Sequence, residues 1–80
     1  MTIFEWANNE IAKIEEYEVS KFNLENGFEI ILSRSQGELF TIGLCQNEHF
    51  YECIEVNCEN LEDVVNDLES LYYVKKGGNK

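Results

Sequence analysis

Residues 20–46, SKFNLENGFEIILSRSQGELFTIGLCQ, decide how this chain folds. Apolar side chains recur there at nearly every second position. The run is broken by Glu25-Asn26-Gly27 and Ser35-Gln36-Gly37, each with glycine third, where a left-handed residue closes a tight hairpin loop. Counting register across the loops tests this reading. A three-residue loop at 25–27 pairs residue 24 with 28 and 22 with 30, which puts Phe22, Leu24, Phe28, Ile30 and Leu32 on one face. A two-residue Asn-Gly turn scatters them over both faces. The same count at 35–37 pairs 32 with 40 and 30 with 42, and adds Phe40, Ile42 and Leu44. Two loops that agree on one apolar face predict an antiparallel meander with a single core side.

Downstream, Gln46-Asn47-Glu48 reads as a third reversal into a fourth strand from about His49 to Val56. We expect Phe50, Ile54 and Val56 to point inward, with Glu52 near the sheet edge, over the alternative in which Tyr51 and Cys53 do. Val19, Ile31, Leu39, Cys45 and Tyr51 then decorate the opposite face, which is half apolar.

The meander is flanked by two stretches of helical period. Thr2 with Glu5 three residues later is a capping box, and Ile3, Phe4, Ala7, Ile11 and Ile14 carry an apolar stripe to about Tyr17. Trp6 and Tyr17 lie on the border of that stripe beside Glu10 and Lys13, where they could close over the core edge or reach a partner, and the core edge is the expected place for both. After Asn57, Leu61, Val64, Val65, Leu68, Leu71 and Tyr72 recur at i, i+3, i+4, i+7, with Asn60 as N-cap and Glu62 and Asp63 in the first turn; this helix stops near Val74. The expected class is α+β: helix, four-stranded antiparallel meander, helix, with both helices on one sheet face. Residues 1–74 form one domain, and residues 75–80, Lys-Lys-Gly-Gly-Asn-Lys, read as a flexible basic tail.

Eighty residues with 16 acids and 6 bases give a net charge of −10. At this length roughly 60% of the unfolded surface can be buried, which leaves little room for an enclosed site. The 44% apolar content is too high for a disordered acidic tail. Residues 35–74 hold nine acids and no Lys or Arg. Such a chain is repelled by nucleic acid and by anionic membranes, so its charged partners are expected to be basic proteins. The first residues lack the basic segment of a secretory signal, no apolar run exceeds four residues, and three cysteines without CxxC spacing point to a reducing compartment, taken as the cytoplasm.

The soft ligands Cys45, His49, Cys53 and Cys58 invite a zinc reading, but their spacing is not that of a zinc knuckle. On one strand His49 and Cys53 lie about 13 Å apart at 3.3 Å per residue, beyond the span of one metal or of a Cys–His dyad. Cys45 could face His49 across its loop, but that pair has no third member in the sequence to complete a catalytic set. No phosphate-binding glycine loop is present. We therefore expect no cofactor, no metal and no catalytic residues. The remaining feature is the second helix, whose Glu59, Glu62, Asp63, Asp67 and Glu69 lie away from the Leu/Val stripe. Steps of three or four residues advance about 5–6 Å, comparable with the separation of phosphates along a nucleic-acid strand.

With its short single domain, capped helix Thr2 to Tyr17, hairpins at Asn26-Gly27 and Gln36-Gly37 and acidic helix Cys58 to Tyr73, the chain resembles the small acidic inhibitors of phages and mobile elements, in particular anti-CRISPR proteins. The likeness lies in architecture and charge, not in a motif. It implies a non-enzymatic inhibitor that occupies a basic nucleic-acid-binding site of a CRISPR effector by mimicking nucleic acid, but carries over no functional residue. The residues expected to serve that role come from the helix face itself, Glu59, Glu62, Asp63, Asp67 and Glu69 as phosphate surrogates, with Trp6 or Tyr51 as aromatic anchors. Two other expectations stand beside it: a homodimer joined through the open sheet face, and a toxin-immunity protein.

Overall fold

A computed structural model of the protein describes residues 1–77. The order is α1 (Ile3–Lys13), β1 (Val19–Asn23), a single 3₁₀ turn (Glu25–Gly27), β2 (Phe28–Arg34), β3 (Phe40–Gln46), β4 (His49–Val56) and α2 (Leu61–Gly77). The strands form one antiparallel sheet in the order β1-β2-β3-β4. The fold is α+β, as the two hairpin loops require. The helix-facing side of the sheet contributes Phe28, Ile30, Leu32, Phe40, Ile42, Leu44 and Val56 to the core. Against them pack Ile3, Trp6, Ala7 and Ile14 from the first helical segment and Leu61, Val64, Val65, Leu68 and Tyr72 from α2.

The first loop has the predicted length: Phe22 pairs with Ile30, and Asn26 and Gly27 both take positive φ. The second does not. Leu32 pairs with Ile42 and Arg34 with Phe40, so the loop spans five residues, 35–39, and the register is two residues from the expected one. A shift of two leaves every side chain on the same face, which is why the apolar pattern could not detect it. The physical reason is Arg34. Kept in the strand, its guanidinium donates from Nε to the Gly37 carbonyl at 2.5 Å and from Nη1 to the Ile14 carbonyl at 2.8 Å, and lies 5.7 Å from the centre of the Phe40 ring. Arg34 thereby ties the end of α1 to the β2–β3 hairpin.

The same contact explains why α1 ends four residues before the expected Tyr17. The capping box at Thr2 and Glu5 is formed, but Ile14 is already extended. Tyr17 sits at φ 68 with its N–H on the Arg34 carbonyl, and the Arg34 N–H donates to Glu18, so strand pairing overrides helical period. At the other end α2 continues past Val74 through Gly77, so Lys75 and Lys76 belong to its last turn and not to a tail; Gly78 to Lys80 lie outside the described residues.

β4 departs from simple alternation. Phe40 pairs with Val56, Ile42 with Ile54 and Leu44 with Glu52, but Cys45 pairs with Phe50, leaving Tyr51 as the extra residue of a bulge. Val56 and Ile54 face the core as expected, with Glu52 exposed at the sheet edge. Beyond the bulge the faces exchange: Tyr51 turns toward α2, and Phe50, expected inside, is 51% exposed. The β3–β4 turn is the two-residue Asn47-Glu48, both at positive φ, and not a three-residue loop.

Gly43, opposite Cys53, marks a close approach of β3 and β4, since an added Cβ would lie 2.5 Å from the Glu52 carbonyl oxygen. Gly43→Ala is expected to lower stability by about 1–3 kcal/mol through this backbone clash. Gly37→Ala meets open space and loses only the left-handed allowance of φ +68, about 1 kcal/mol. Denaturant unfolding of both variants checks the ordering, and equal losses would refute it.

Candidate functional site

The turn leading into α2 is held by two asparagines. The Asn57 side chain accepts from the N–H groups of Glu59 and Asn60, and the Asn60 side chain accepts from the Asn57 N–H at 2.8 Å. Asn60 occupies the expected capping position, its carbonyl receiving the Val64 N–H, but its side chain points back to the turn and not into the helix. This fixes Glu59 beside the first turn of α2.

The buried stripe of α2 sets what faces out. With Leu61, Val64, Val65, Leu68 and Tyr72 inward, Glu62, Asp63 and Asp67 are exposed, as is Glu59, while Glu69 is half-buried on the flank. Asp63 and Asp67 are one turn apart, about 6 Å along the axis. Glu62 and Asp63 favour the positive end of the helix dipole. Asp67 and Glu69 are too far along the helix for that benefit, so helix stability does not account for them. Among the described residues the ion pairs are Lys13 with Glu10 and Lys76 with Glu25, so none of the five carboxylates on or beside α2 is neutralised by them. The structure brings the five predicted acidic residues to one helix and its lead-in turn.

It does not bring the aromatic pair to them. Trp6 is 7% exposed, its ring 5.4 Å from that of Phe22, and it belongs to the core. Tyr51 is half-buried: its ring stacks on Phe28 at 6.1 Å, Lys75 lies 5.0 Å from its centre, and its hydroxyl donates to Gln46 Oε1 at 2.7 Å. Trp6 is thus withdrawn from any partner, while Tyr51 keeps part of its surface exposed beside these contacts. The exposed apolar side chains on the helix-free side are Val19 and Phe50, with Leu39 at the neighbouring hairpin. Phe50 was missed because the bulge inverts the face. The adjacent apolar pair Phe50-Tyr51 inside an otherwise alternating strand was the signal for it.

Two shallow grooves stand out among the described residues. One, of about 390 Å³, lies where the 3₁₀ turn meets the β3–β4 turn and is lined by Lys21, Asn23, Phe28, Glu29 and Glu48 among others. The other, of about 310 Å³, lies between α1 and the β2–β3 hairpin and contains Arg34, Glu38 and Cys58. His49 lines neither, so neither groove unites a cysteine nucleophile with the histidine. Among the described residues no three His, Cys, Asp or Glu side chains converge as metal ligands, and all three cysteines are free. No helix among them is long and apolar enough to cross a membrane.

No protein-family model, curated protein or solved structure matches this chain.

At the C-terminal end of α2, Lys76 Nζ lies 2.6 Å from Glu25 Oε1 and within 5.7 Å of the Tyr72 and Tyr73 ring centres. Their hydrogen bond, assisted by charge attraction, holds the Glu25 carboxyl below its ordinary 4.5 and Lys76 above its ordinary 10.5. A depressed carboxyl stabilises the fold above pH 4.5 and loses this as pH falls through its folded value. A raised amine stabilises it below pH 10.5 and loses this as pH rises past its folded value. A Glu25→Gln, Lys76→Met double-mutant cycle is expected to show favourable coupling near neutral pH and none well below pH 4.5, read by thermal unfolding. Coupling that persists in acid would exclude the ion pair as its source.

Proposed function

We propose that this protein is a non-enzymatic acidic inhibitor that occupies the basic nucleic-acid-binding site of a CRISPR effector or a similar nucleic-acid enzyme. The observation that carries the reading is the outer face of α2. Glu62, Asp63 and Asp67 stand exposed on a rigid helix, with Glu59 and Glu69 flanking them, and no described cation pairs with any of them. Carboxylates about one helical turn apart offer a basic groove a spacing close to that of backbone phosphates. A net charge of −10 adds long-range attraction that steers the encounter. With Trp6 in the core and Tyr51 half-buried against Phe28 and Lys75, electrostatics and helix shape carry the recognition.

Homodimerisation through the open sheet face is the second reading, favoured by exposed Phe50 and Val19 and opposed by −10 on each copy. Sedimentation at rising concentration separates the two, because a concentration-independent monomer removes the dimer.

The test of the first reading replaces Glu62, Asp63, Asp67 and Glu69 by their amides. All four lie outside the fully buried core, so thermal stability should stay within about 0.5 kcal/mol per site. The wild type is expected to recover a nucleic-acid enzyme from lysate of a CRISPR-bearing bacterium at low salt and to lose it as salt rises. The four-amide variant should bind at least about tenfold more weakly and with a flatter salt dependence. Unchanged affinity in the variant would sink the mimicry.

A further inference from the structure

We propose that the free edge of β4 between Glu52 and Val56 is a docking strand, onto which an extended, lysine- or arginine-bearing segment of a protein partner adds as a fifth strand. The site is backbone, and its direction follows from one glycine. The position a Cβ would take on Gly43 is 2.5 Å from the Glu52 carbonyl oxygen, so that carbonyl points toward β3. In an antiparallel ladder successive residues alternate between facing their partner strand and facing away. Ile54 and Val56 therefore bond toward β3, while the N–H and C=O groups of Cys53 and Glu55 point out of the sheet. No described turn, loop or side chain takes up these four groups, and both side chains are exposed. Such an edge accepts an incoming strand unless it is blunted.

Charge selects the occupant. Glu52 lies opposite Leu44 on the helix-facing side and Glu55 opposite Thr41 on the open side, so the strand carries a carboxylate on each face. Glu48 and Glu59 bracket it in sequence, and none of the four has an ion pair with a described residue. A second copy of this chain would add its own Glu52 and Glu55 to the same edge, as direct or diagonal neighbours of the first pair, which repels. A segment with cations at alternate positions places them beside Glu52 or Glu55. The other edge does not suit such a segment. The Leu24 N–H donates to the Phe28 carbonyl, so Val19, Lys21 and Asn23 point their backbone groups outward on β1, with a lysine at the midpoint. The bulge at Tyr51 limits the regular stretch on β4 to five residues and leaves exposed Phe50 at its end for an apolar side chain of the partner.

This inference shares with the function proposed above only the sign of the partner's charge, and it involves a different surface. It is tested with isotope-labelled protein and two synthetic probes, a Lys-Val-Lys-Val-Lys-Val-Lys peptide and its Glu-Val counterpart. With the lysine peptide in excess, amide exchange at Cys53 and Glu55 should slow by roughly tenfold or more, with Val19, Lys21 and Asn23 unchanged. The glutamate peptide should leave all five unchanged. Glu55→Pro deletes one outward donor without touching the β3 ladder and should abolish the protection. Glu52→Gln with Glu55→Gln should weaken it, and serves if the proline variant does not fold. The four-amide variant of α2 should keep it, which separates failure here from failure of the helix reading. Protection at β1, protection at neither edge, or equal protection by the glutamate peptide overturns the proposal.

Discussion

Everything in this fold depends on one sheet face being apolar through the two central strands, β2 and β3. Phe28, Ile30, Leu32, Phe40, Ile42 and Leu44 are each almost wholly withdrawn from water, and no other surface in 80 residues could supply a comparable core. Both helices are amphipathic, so each needs a neighbour to bury its stripe, and the sheet provides the one large surface available. With the helices committed to one side, the other side of the sheet is left to solvent or to a partner, and no described strand pairs with the outer edges of β1 and β4.

That one-sided core also determines where the charge goes. The core contains no buried polar or charged side chain, so all 16 acids are displaced to the periphery, and six bases cannot balance them. Four of the bases are engaged within the protein: Lys13 with Glu10, Arg34 with the Ile14 carbonyl at the end of α1, Lys75 over Tyr51, and Lys76 with Glu25. These contacts strengthen the ends of the fold while leaving the carboxylates of α2 and β4 unneutralised by any described ion pair. An acidic field of this kind is the physical basis for both proposed surfaces. The helix offers carboxylates at fixed spacing, whereas the strand offers backbone hydrogen bonds whose partner is chosen by charge.

The parts of the fold that local chemistry controls were legible in the residues. Thr2 and Glu5 marked the start of α1, Asn26-Gly27 the first hairpin, and the Leu/Val stripe the buried face of α2. The five acidic residues followed from that stripe, because naming the inward side of a helix names the outward side. The aromatic positions were legible only in part. Trp6 closes the core edge as expected, packed against Phe22, but Tyr17, expected there too, is 73% exposed because strand pairing claims it before the helix reaches it. Tyr51 and Phe50 exchange faces because one extra residue enters β4, and alternation has no memory across a bulge.

The sequence by itself determined element types, their order, the core face of the sheet and the acidic face of α2, since each depends on periodicity or on contacts within a few residues. Tertiary structure alone decided the end of α1, the length of the second hairpin, the bulge in β4 and the docking of Lys75 and Lys76. The end of α1 and the docking of the two lysines rest on groups far apart in the chain: the Arg34 guanidinium on the Ile14 carbonyl, Lys75 over Tyr51, and Lys76 on Glu25. A period-two pattern is unchanged by a slip of two residues, and a helical stripe does not record when a strand will claim its last turn. Those choices are made by hydrogen bonds and ion pairs that exist only once the sheet and the helices have met.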